Sequence, residues 1–188
     1  MRKYLIIFLD IVVTIVMIYF FVSWIGLKGF LFAWVLNFTL MTSVFVFTET
    51  LKAPLQTHYY REKPWERKGK TYEQLGINLF RKLLVLLGWE KLNKKDNPVE
   101  KNLKALMHLE YRTRQSELGH LIIFFIVLAF NIYVAVQFGI RESLWLLVLN
   151  ILLNLYPIFL QRYNRPRLQR VIALSKRREG KEATTRDK

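Results

Sequence analysis

The chain has 188 residues, of which 53% are apolar, and its 29 Lys and Arg against 14 acidic residues give a net charge of +15. This apolar content excludes a disordered tail, and the absence of cysteine excludes a disulfide scaffold, a thiol nucleophile and a Cys-based metal site. The positive charge could indicate nucleic-acid binding, but no known nucleic-acid-binding motif is present, and a membrane protein with basic cytoplasmic loops next to anionic lipid explains the charge more simply. We therefore expect anionic lipid headgroups as partners and no nucleic acid.

The apolar residues are concentrated in four stretches, each long enough to cross a hydrocarbon core of ~30 Å. These stretches run from Tyr4 to Ile25, from Gly29 to Phe47, from Leu121 to Phe138 and from Leu144 to Leu160. Short turns join the first to the second and the third to the fourth. The pattern predicts an all-α integral membrane protein with four transmembrane helices in two hairpins and a helical cytoplasmic region between them. The first stretch exceeds a signal-peptide core and lacks a cleavage site, so we expect it to be retained.

Charge divides the chain into four parts and orients it. The predicted parts are a first transmembrane hairpin (1–48), a cytoplasmic or interfacial helical region (49–117), a second transmembrane hairpin (118–161) and a basic cytoplasmic tail (162–188). Fifteen of the 29 Lys and Arg lie between Glu49 and Glu117 and ten lie from Arg162 onward, whereas each hairpin turn carries one. Because basic loops stay in the cytoplasm, we expect both termini on the cytoplasmic side of the cell membrane and both hairpin turns on the outer side.

Two capping patterns predict helices in the central region. Thr71 to Gln74 has the spacing of a capping box, and leucines at helical spacing follow as far as Gly88. This helix is amphipathic, and it either lies in the membrane interface or packs as an ordinary helix on the bundle. Asn97 followed by Pro98 predicts a second start, from which one long helix continues into the third apolar stretch.

The long helix carries four ionisable residues on one stripe, ending where the apolar stretch begins: Glu110, Arg114, Glu117 and His120. One interpretation is that these side chains only pair with one another. The other is that Glu117 orients the His120 imidazole and raises its basicity, which makes the pair a candidate catalytic base. The pair could also hold a metal, but no further ligand is apparent, so we predict no metal site.

The fourth apolar stretch contains polar residues near its end. Asn150 and Asn154 share a helix face, and Pro157 is expected to loosen the helix one turn before the cytoplasmic surface. Arg165 precedes Pro166 and is biased away from helical geometry, so we predict a break there. The break would present three arginines suited to phosphate or carboxylate recognition.

Residues Gln161 to Leu168, read as QRYNRPRL, are similar to the C-terminal signature of the glycosyl-4,4'-diaponeurosporenoate acyltransferases. These are small membrane enzymes of bacterial C30 carotenoid biosynthesis of the staphyloxanthin type. The run from Ser116 to His120 resembles the Glu-x-x-His of that family at the same distance before the signature. The stretch from His58 to Lys70 resembles its upstream region more loosely.

The resemblance implies transfer of a fatty acyl chain to a sugar hydroxyl of a glycosylated carotenoid acid, or of a similar glycolipid. Its co-substrate would be acyl-CoA or a similar thioester, without a resident cofactor. Glu117 and His120 are the predicted catalytic residues. The predicted substrate-binding residues, which we expect to share one site with His120, are Arg114, Gln161, Arg162, Tyr163, Asn164, Arg165 and Arg167. Arg162, Arg165 and Arg167 would hold donor phosphates, and Gln161 or Asn164 the oxyanion. The alternative is a non-catalytic membrane assembly or anionic-lipid-binding protein.

Overall fold

A computed structural model describes residues 2–88 and 102–186, with side chains as far as residue 179. The described ranges contain α-helices joined by short turns and no β-strand. The predicted helix start at Asn97 and Pro98 lies outside the described residues. The helices are α1 (Arg2–Ile25), α2 (Gly29–Leu51), α3 (Lys70–Gln74), α4 (Ile77–Leu86), α5 (Leu103–Phe138), α6 (Ile140–Asn150) and α7 (Tyr156–Arg186).

Four helical stretches are long and apolar enough to cross a membrane: Arg2–Ile25, Gly29–Leu51, Leu103–Phe138 and Ile140–Glu179. They contain the four apolar stretches that the sequence shows, and the tight turns fall where they were expected, at residues 26–28 and at Gly139. The all-α class with four spanning helices is therefore confirmed. The chain is a multi-pass membrane protein.

The chain forms two compact units, each built from two separate segments. Unit 1 consists of Met1–Pro54 and Glu117–Ile158, and unit 2 consists of Leu55–Ser116 and Phe159–Lys188. Helix α5 crosses from unit 2 into unit 1 at Glu117, and α7 crosses back after Ile158. Each unit therefore has its own packing.

In unit 1, α1 and α2 form a tight antiparallel hairpin. The turn between them requires glycine, because Gly26 and Gly29 adopt φ angles of 80° and 82°, which side chains with a Cβ rarely tolerate. No α1 residue is buried by protein, although Ile18 and Val22 pack against the core. Such a helix suits a lipid environment, because lipid tails are as apolar as these side chains and burial against protein would bring no hydrophobic stabilisation.

The core of unit 1 lies between α2, α5 and α6. Apolar residues recur at helical spacing along α2 and meet partners from both other helices. The buried set is Phe32, Ala33, Leu36, Leu40, Val44, Ile123, Val127, Val134, Leu146 and Leu149. Because these helices are fixed by close packing, polar groups on their inner faces have defined positions.

The fourth spanning stretch is loosened before Pro157, as the sequence predicts. Residues Ile151–Leu155 form a single π-helical turn between α6 and α7. Proline has no N–H, so Pro157 cannot bond to the carbonyl of Leu153 four residues earlier. A π-turn is a frequent response to such a lost bond, and it changes which side chains face the interior.

Unit 2 begins with two 3₁₀ turns, and the predicted helix start at Thr71 is wrong. The helix begins at Lys70 and stops at Gln74, and α4 starts only after Gly76, whose φ is 83°. Thr71 does not cap, because its hydroxyl donates to the carbonyl of Trp65. The capping arrangement occurs upstream instead, where the Glu66 carboxylate accepts a hydrogen bond from the N–H of Lys63.

The predicted break at Arg165 and Pro166 is also wrong. Helix α7 runs without interruption from Tyr156 to Arg186 with Pro166 inside it. The preference of a pre-proline residue for extended geometry is modest, and here it is opposed by ion pairs and ring contacts of the neighbouring arginines. The QRYNRPRL residues therefore form part of one continuous helix, and Arg162 and Arg165 lie on the buried side of that helix.

Candidate functional site

In unit 1, His120 lies on α5 with its imidazole turned toward the π-turn. Its Nδ1 is 3.4 Å from Oδ1 of Asn154. Glu117 lies one turn earlier on α5 and is fully buried, at 0% exposure. A hydrogen bond between Glu117 and His120 stays a prediction.

In unit 2, the centre of the polar packing is Glu66, a carboxylate that is 3% exposed. Its Oε1 accepts hydrogen bonds from the Tyr72 hydroxyl at 2.6 Å and from Nη1 of Arg162 at 2.8 Å, and its Oε2 accepts the Lys63 N–H at 2.6 Å. Burial raises the pKa of Glu66, but these hydrogen bonds and the Arg162 charge outweigh it and hold the pKa below its usual value. Glu66 is therefore a buried anion in the folded protein.

Arg162 and Arg165 are packed into this centre. Each guanidinium lies over a tyrosine ring, Arg162 at 4.6 Å from Tyr59 and Arg165 at 5.6 Å from Tyr60. Arg162 donates to the Tyr59 carbonyl, and Arg165 donates to the Tyr60 carbonyl and the Thr113 hydroxyl at 3.4 Å each. Arg162 is 9% exposed and Arg165 is 3% exposed. Both arginines are therefore buried, and both are bound to protein groups.

Arg167 lies on the outer side of the same helix. Its guanidinium is 3.7 Å from the Tyr163 ring centroid and pairs with Glu73 at 3.1 Å, while the side chain stays half-exposed. Tyr163 also donates from its hydroxyl to Glu73. At Gly69 the loop comes so close to α7 that an added Cβ would lie 3.2 Å from the Tyr163 carbonyl oxygen and from Arg167 Nη1. Arg167 is thus held in place yet accessible to a ligand.

The remaining predicted residues of unit 2 take different positions. Gln161 donates to the Ser116 hydroxyl at 3.2 Å, and Asn164 is half-buried. Arg114 pairs with Glu110 on the same helix and donates to the Leu55 carbonyl, which agrees with simple pairing for this end of the stripe. No three His, Asp or Glu side chains of the described ranges come together as a metal site would require.

Sequence reasoning missed the residues that hold these groups. Glu66, Tyr59 and Tyr72 contribute to the arginine cluster from about 90 to 100 positions away in the sequence. Asn37 completes the polar cluster behind His120. The only available signal was indirect: the stretch from His58 to Lys70 resembled the family, and in the structure it packs on the QRYNRPRL helix.

Comparison with known proteins identifies the family. No curated protein and no solved structure matches the chain. The sequence profile of glycosyl-4,4'-diaponeurosporenoate acyltransferase matches residues 56–174, a range that contains the arginine cluster, Glu117 and His120. This range covers more than half of the chain. The chain therefore belongs to the glycosyl-4,4'-diaponeurosporenoate acyltransferase family of carotenoid glycoside biosynthesis.

Proposed function

We propose that this protein is an O-acyltransferase that esterifies a sugar hydroxyl of a glycosylated carotenoid acid with a fatty acyl chain from a CoA-type thioester. The family match over residues 56–174 is the observation that carries the proposal. The four spanning helices of the protein suit substrates whose polyene and acyl chains reside in the bilayer. His120 supplies a half-buried imidazole at the start of the apolar half of α5.

The imidazole of His120 acts as the general base of the proposed reaction. It takes the proton of the sugar hydroxyl while the hydroxyl oxygen bonds to the thioester carbonyl carbon. The tetrahedral intermediate carries its negative charge on the former carbonyl oxygen, which a hydrogen-bond donor must stabilise. The C–S bond then breaks, and the departing thiolate takes the proton back from the imidazolium. Glu117, one turn away, is proposed to stabilise the imidazolium that forms when the ring takes this proton.

Among the three signature arginines, Arg167 is the proposed first contact of the donor phosphates. It is half-exposed, and its pairing with Glu73 is a surface ion pair that a phosphate can displace at small cost. Arg162 and Arg165 have buried partners, so their proposed contribution is to hold their helix in place. Arg114, paired with Glu110, is proposed to contribute in the same indirect way.

We propose a location in the cell membrane with both termini, and therefore unit 2, on the cytoplasmic side. The positive-inside distribution of the 29 Lys and Arg supports this orientation. It would place the arginine cluster where CoA thioesters are made, and the basic surface next to anionic headgroups.

An assay of the purified protein in lipid nanodiscs tests the proposed function. With acyl-CoA and a glycosylated C30 carotenoid acid, we expect equal amounts of released CoA thiol and of a product heavier by one acyl group. Release of thiol without esterified product would indicate hydrolysis of the donor instead of transfer. Absence of both, from protein that binds lipid and is folded, would support the non-catalytic membrane protein.

A further inference from the structure

A cluster of three asparagines lies inside the apolar core of unit 1. Asn37 on α2, Asn150 at the end of α6 and Asn154 in the π-turn are each no more than 1% exposed. Unpaired amides are costly in such surroundings, so polar residues at membrane depth are candidates for a functional role. The reaction proposed above assigns no role to any of the three.

Two backbone carbonyls determine how the outer amides are oriented. Asn37 donates from Nδ2 to the Ala33 carbonyl at 2.8 Å, and Asn150 donates from Nδ2 to the Phe124 carbonyl at 3.0 Å. A carbonyl can only accept, so the amide nitrogens must face these oxygens. The Oδ1 atoms of Asn37 and Asn150 are therefore the atoms that face the third asparagine.

The orientation of Asn154 follows from its two neighbours. Its Nδ2 donates one hydrogen to Oδ1 of Asn37 at 2.8 Å and the other to Oδ1 of Asn150 at 2.9 Å. Both amide hydrogens are thereby used, and the group that remains for His120 is Oδ1, which can only accept. The Nδ1 of His120, 3.4 Å from it, must then carry a proton.

We propose that Asn154, held by Asn37 and Asn150, is a positioning residue that keeps His120 in its Nδ1–H tautomer. Nε2 then retains its lone pair, which is the form a general base needs to accept the sugar hydroxyl proton. The catalytic meaning of this tautomer rests on the proposed function, whereas the tautomer itself does not. A neutral amide performs the task without placing a net charge in the apolar core, which a carboxylate at the same place would do.

Nitrogen NMR of the histidine ring tests the tautomer directly, without any change to the asparagines. His58→Gln and His108→Gln together leave His120 as the sole histidine of the full-length protein, which is labelled with ¹⁵N-histidine and placed in nanodiscs. For the neutral ring we expect a protonated Nδ1 and an unprotonated Nε2. A neutral ring protonated on Nε2, or an even mixture of both tautomers, would overturn the proposal.

Variants then test whether the asparagines act through His120. Asn154→Leu removes the acceptor with little change in shape, and Asn37→Leu removes one of the two groups that hold it. We expect Asn154→Leu to lose the Nδ1–H preference and to lower kcat by about 10- to 1000-fold, with little change in acceptor KM. A positioning residue should cost less than the loss of the general base itself, which contributes about 10²- to 10⁴-fold. Asn37→Leu should have a smaller effect of the same kind.

Asn131→Leu is the matched control, because Asn131 lies on the same spanning helix as His120 but donates elsewhere, to the Ser143 carbonyl. It should keep the tautomer and kcat of the wild type. If folded Asn154→Leu keeps both as well, the positioning role is refuted. Failure of Asn154→Leu to fold leaves the wild-type NMR spectrum to decide. Absence of acyl transfer in the wild type refutes the proposed function instead, and does so whatever the tautomer.

Discussion

Arg162 and Arg167 stand five positions apart in one helix, yet their surroundings predict opposite effects of substitution. Arg162→Ala leaves the buried Glu66 carboxylate without its cation, and breaking a buried ion pair costs about 3–5 kcal/mol. We expect a clearly lower unfolding midpoint in detergent for this variant. The measurement is a thermal unfolding series followed by circular dichroism, with wild-type protein in the same detergent.

Arg167→Ala should behave differently, because the Arg167 pair with Glu73 is half-exposed and contributes about 0–1 kcal/mol. Its unfolding midpoint should stay close to that of the wild type, while the KM for acyl-CoA rises about tenfold or more through loss of one charge-assisted contact. Arg170→Ala, an exposed arginine one turn further along α7, is the control. An unchanged donor KM in Arg167→Ala would remove Arg167 from the donor site.

The buried Glu66 also predicts how stability depends on pH. Its pKa in the folded protein lies below the ordinary value of 4.5, so folding favours the ionised form. The resulting stability is complete above pH 4.5 and is lost as the pH falls through the lower folded pKa. Unfolding midpoints measured between pH 6 and pH 3 should therefore fall less steeply in Glu66→Gln than in the wild type. Equal slopes in the two proteins would contradict this assignment.

At the scale of single residues, the sequence identified the groups but not their partners. The stripe ending at His120 and the arginines of QRYNRPRL stood out because charged residues flanked apolar stretches. What holds them could not be found locally, since Glu66 lies 96 positions from Arg162 and Asn37 lies 117 positions from Asn154. A single asparagine in an apolar run gives no sign of which distant amide it will meet.

Helix α4 carries two apolar faces, and only one of them is packed. Ile77 and Phe80 are buried in unit 2, whereas Leu79 and Leu86 are 75% and 83% exposed and share the other face with Leu83. In a chain with four spanning helices, a bilayer interface is the natural environment for such a face. The neighbouring Arg81 and Lys82 would then meet anionic headgroups.

Single labels test this arrangement well, because the native chain has no cysteine. Spin labels at Leu79→Cys and Leu83→Cys in reconstituted protein should be accessible to oxygen dissolved in lipid and shielded from a water-soluble nickel reagent. A label at Asn78→Cys, an exposed polar position on the same helix, should show the reverse. Equal access of nickel to all three labels would show that the leucine face is in water, and shielding from both reagents would show that protein covers it.

At the scale of elements, the hairpins were predictable and the helix boundaries of unit 2 were not. Apolar stretches of spanning length, interrupted by a glycine turn, leave few alternatives in a membrane. In unit 2, local sequence preferences for helix ends were opposed by contacts with distant residues. The bias of Arg165 away from helix and the capping pattern at Thr71 are both weak preferences, and the contacts of Arg162 and Arg165 and the positive φ of Gly76 prevailed over them.

At the scale of the whole molecule, the orientation in the membrane can be tested with the same cysteine-free background. Cysteines introduced at Lys28 and Arg141, in the two hairpin turns, should react with a membrane-impermeant maleimide added to intact cells. A cysteine at Lys176 in the tail should react only after the membrane is opened. Reaction of the tail from outside would reverse the proposed topology, and with it the cytoplasmic position of unit 2.

The family of the chain was accessible from an eight-residue signature, because QRYNRPRL is specific in a way that apolar stretches are not. The profile match covers residues 56–174. This range contains all three segments that resemble the family, from His58 to Leu168. The first hairpin carried no such signature, and its contribution became visible only in three dimensions. There Asn37 of α2 meets Asn154, which in turn faces His120.

Acyl transfer by two histidine variants tests the central claim most directly. In nanodiscs with acyl-CoA and a glycosylated C30 carotenoid acid, His120→Gln should reduce esterified product by about 100-fold or more, since a general base contributes 10²- to 10⁴-fold. His108→Gln, three turns earlier on the same helix, should retain wild-type turnover and the same unfolding midpoint. Wild-type turnover in folded His120→Gln would contradict the account.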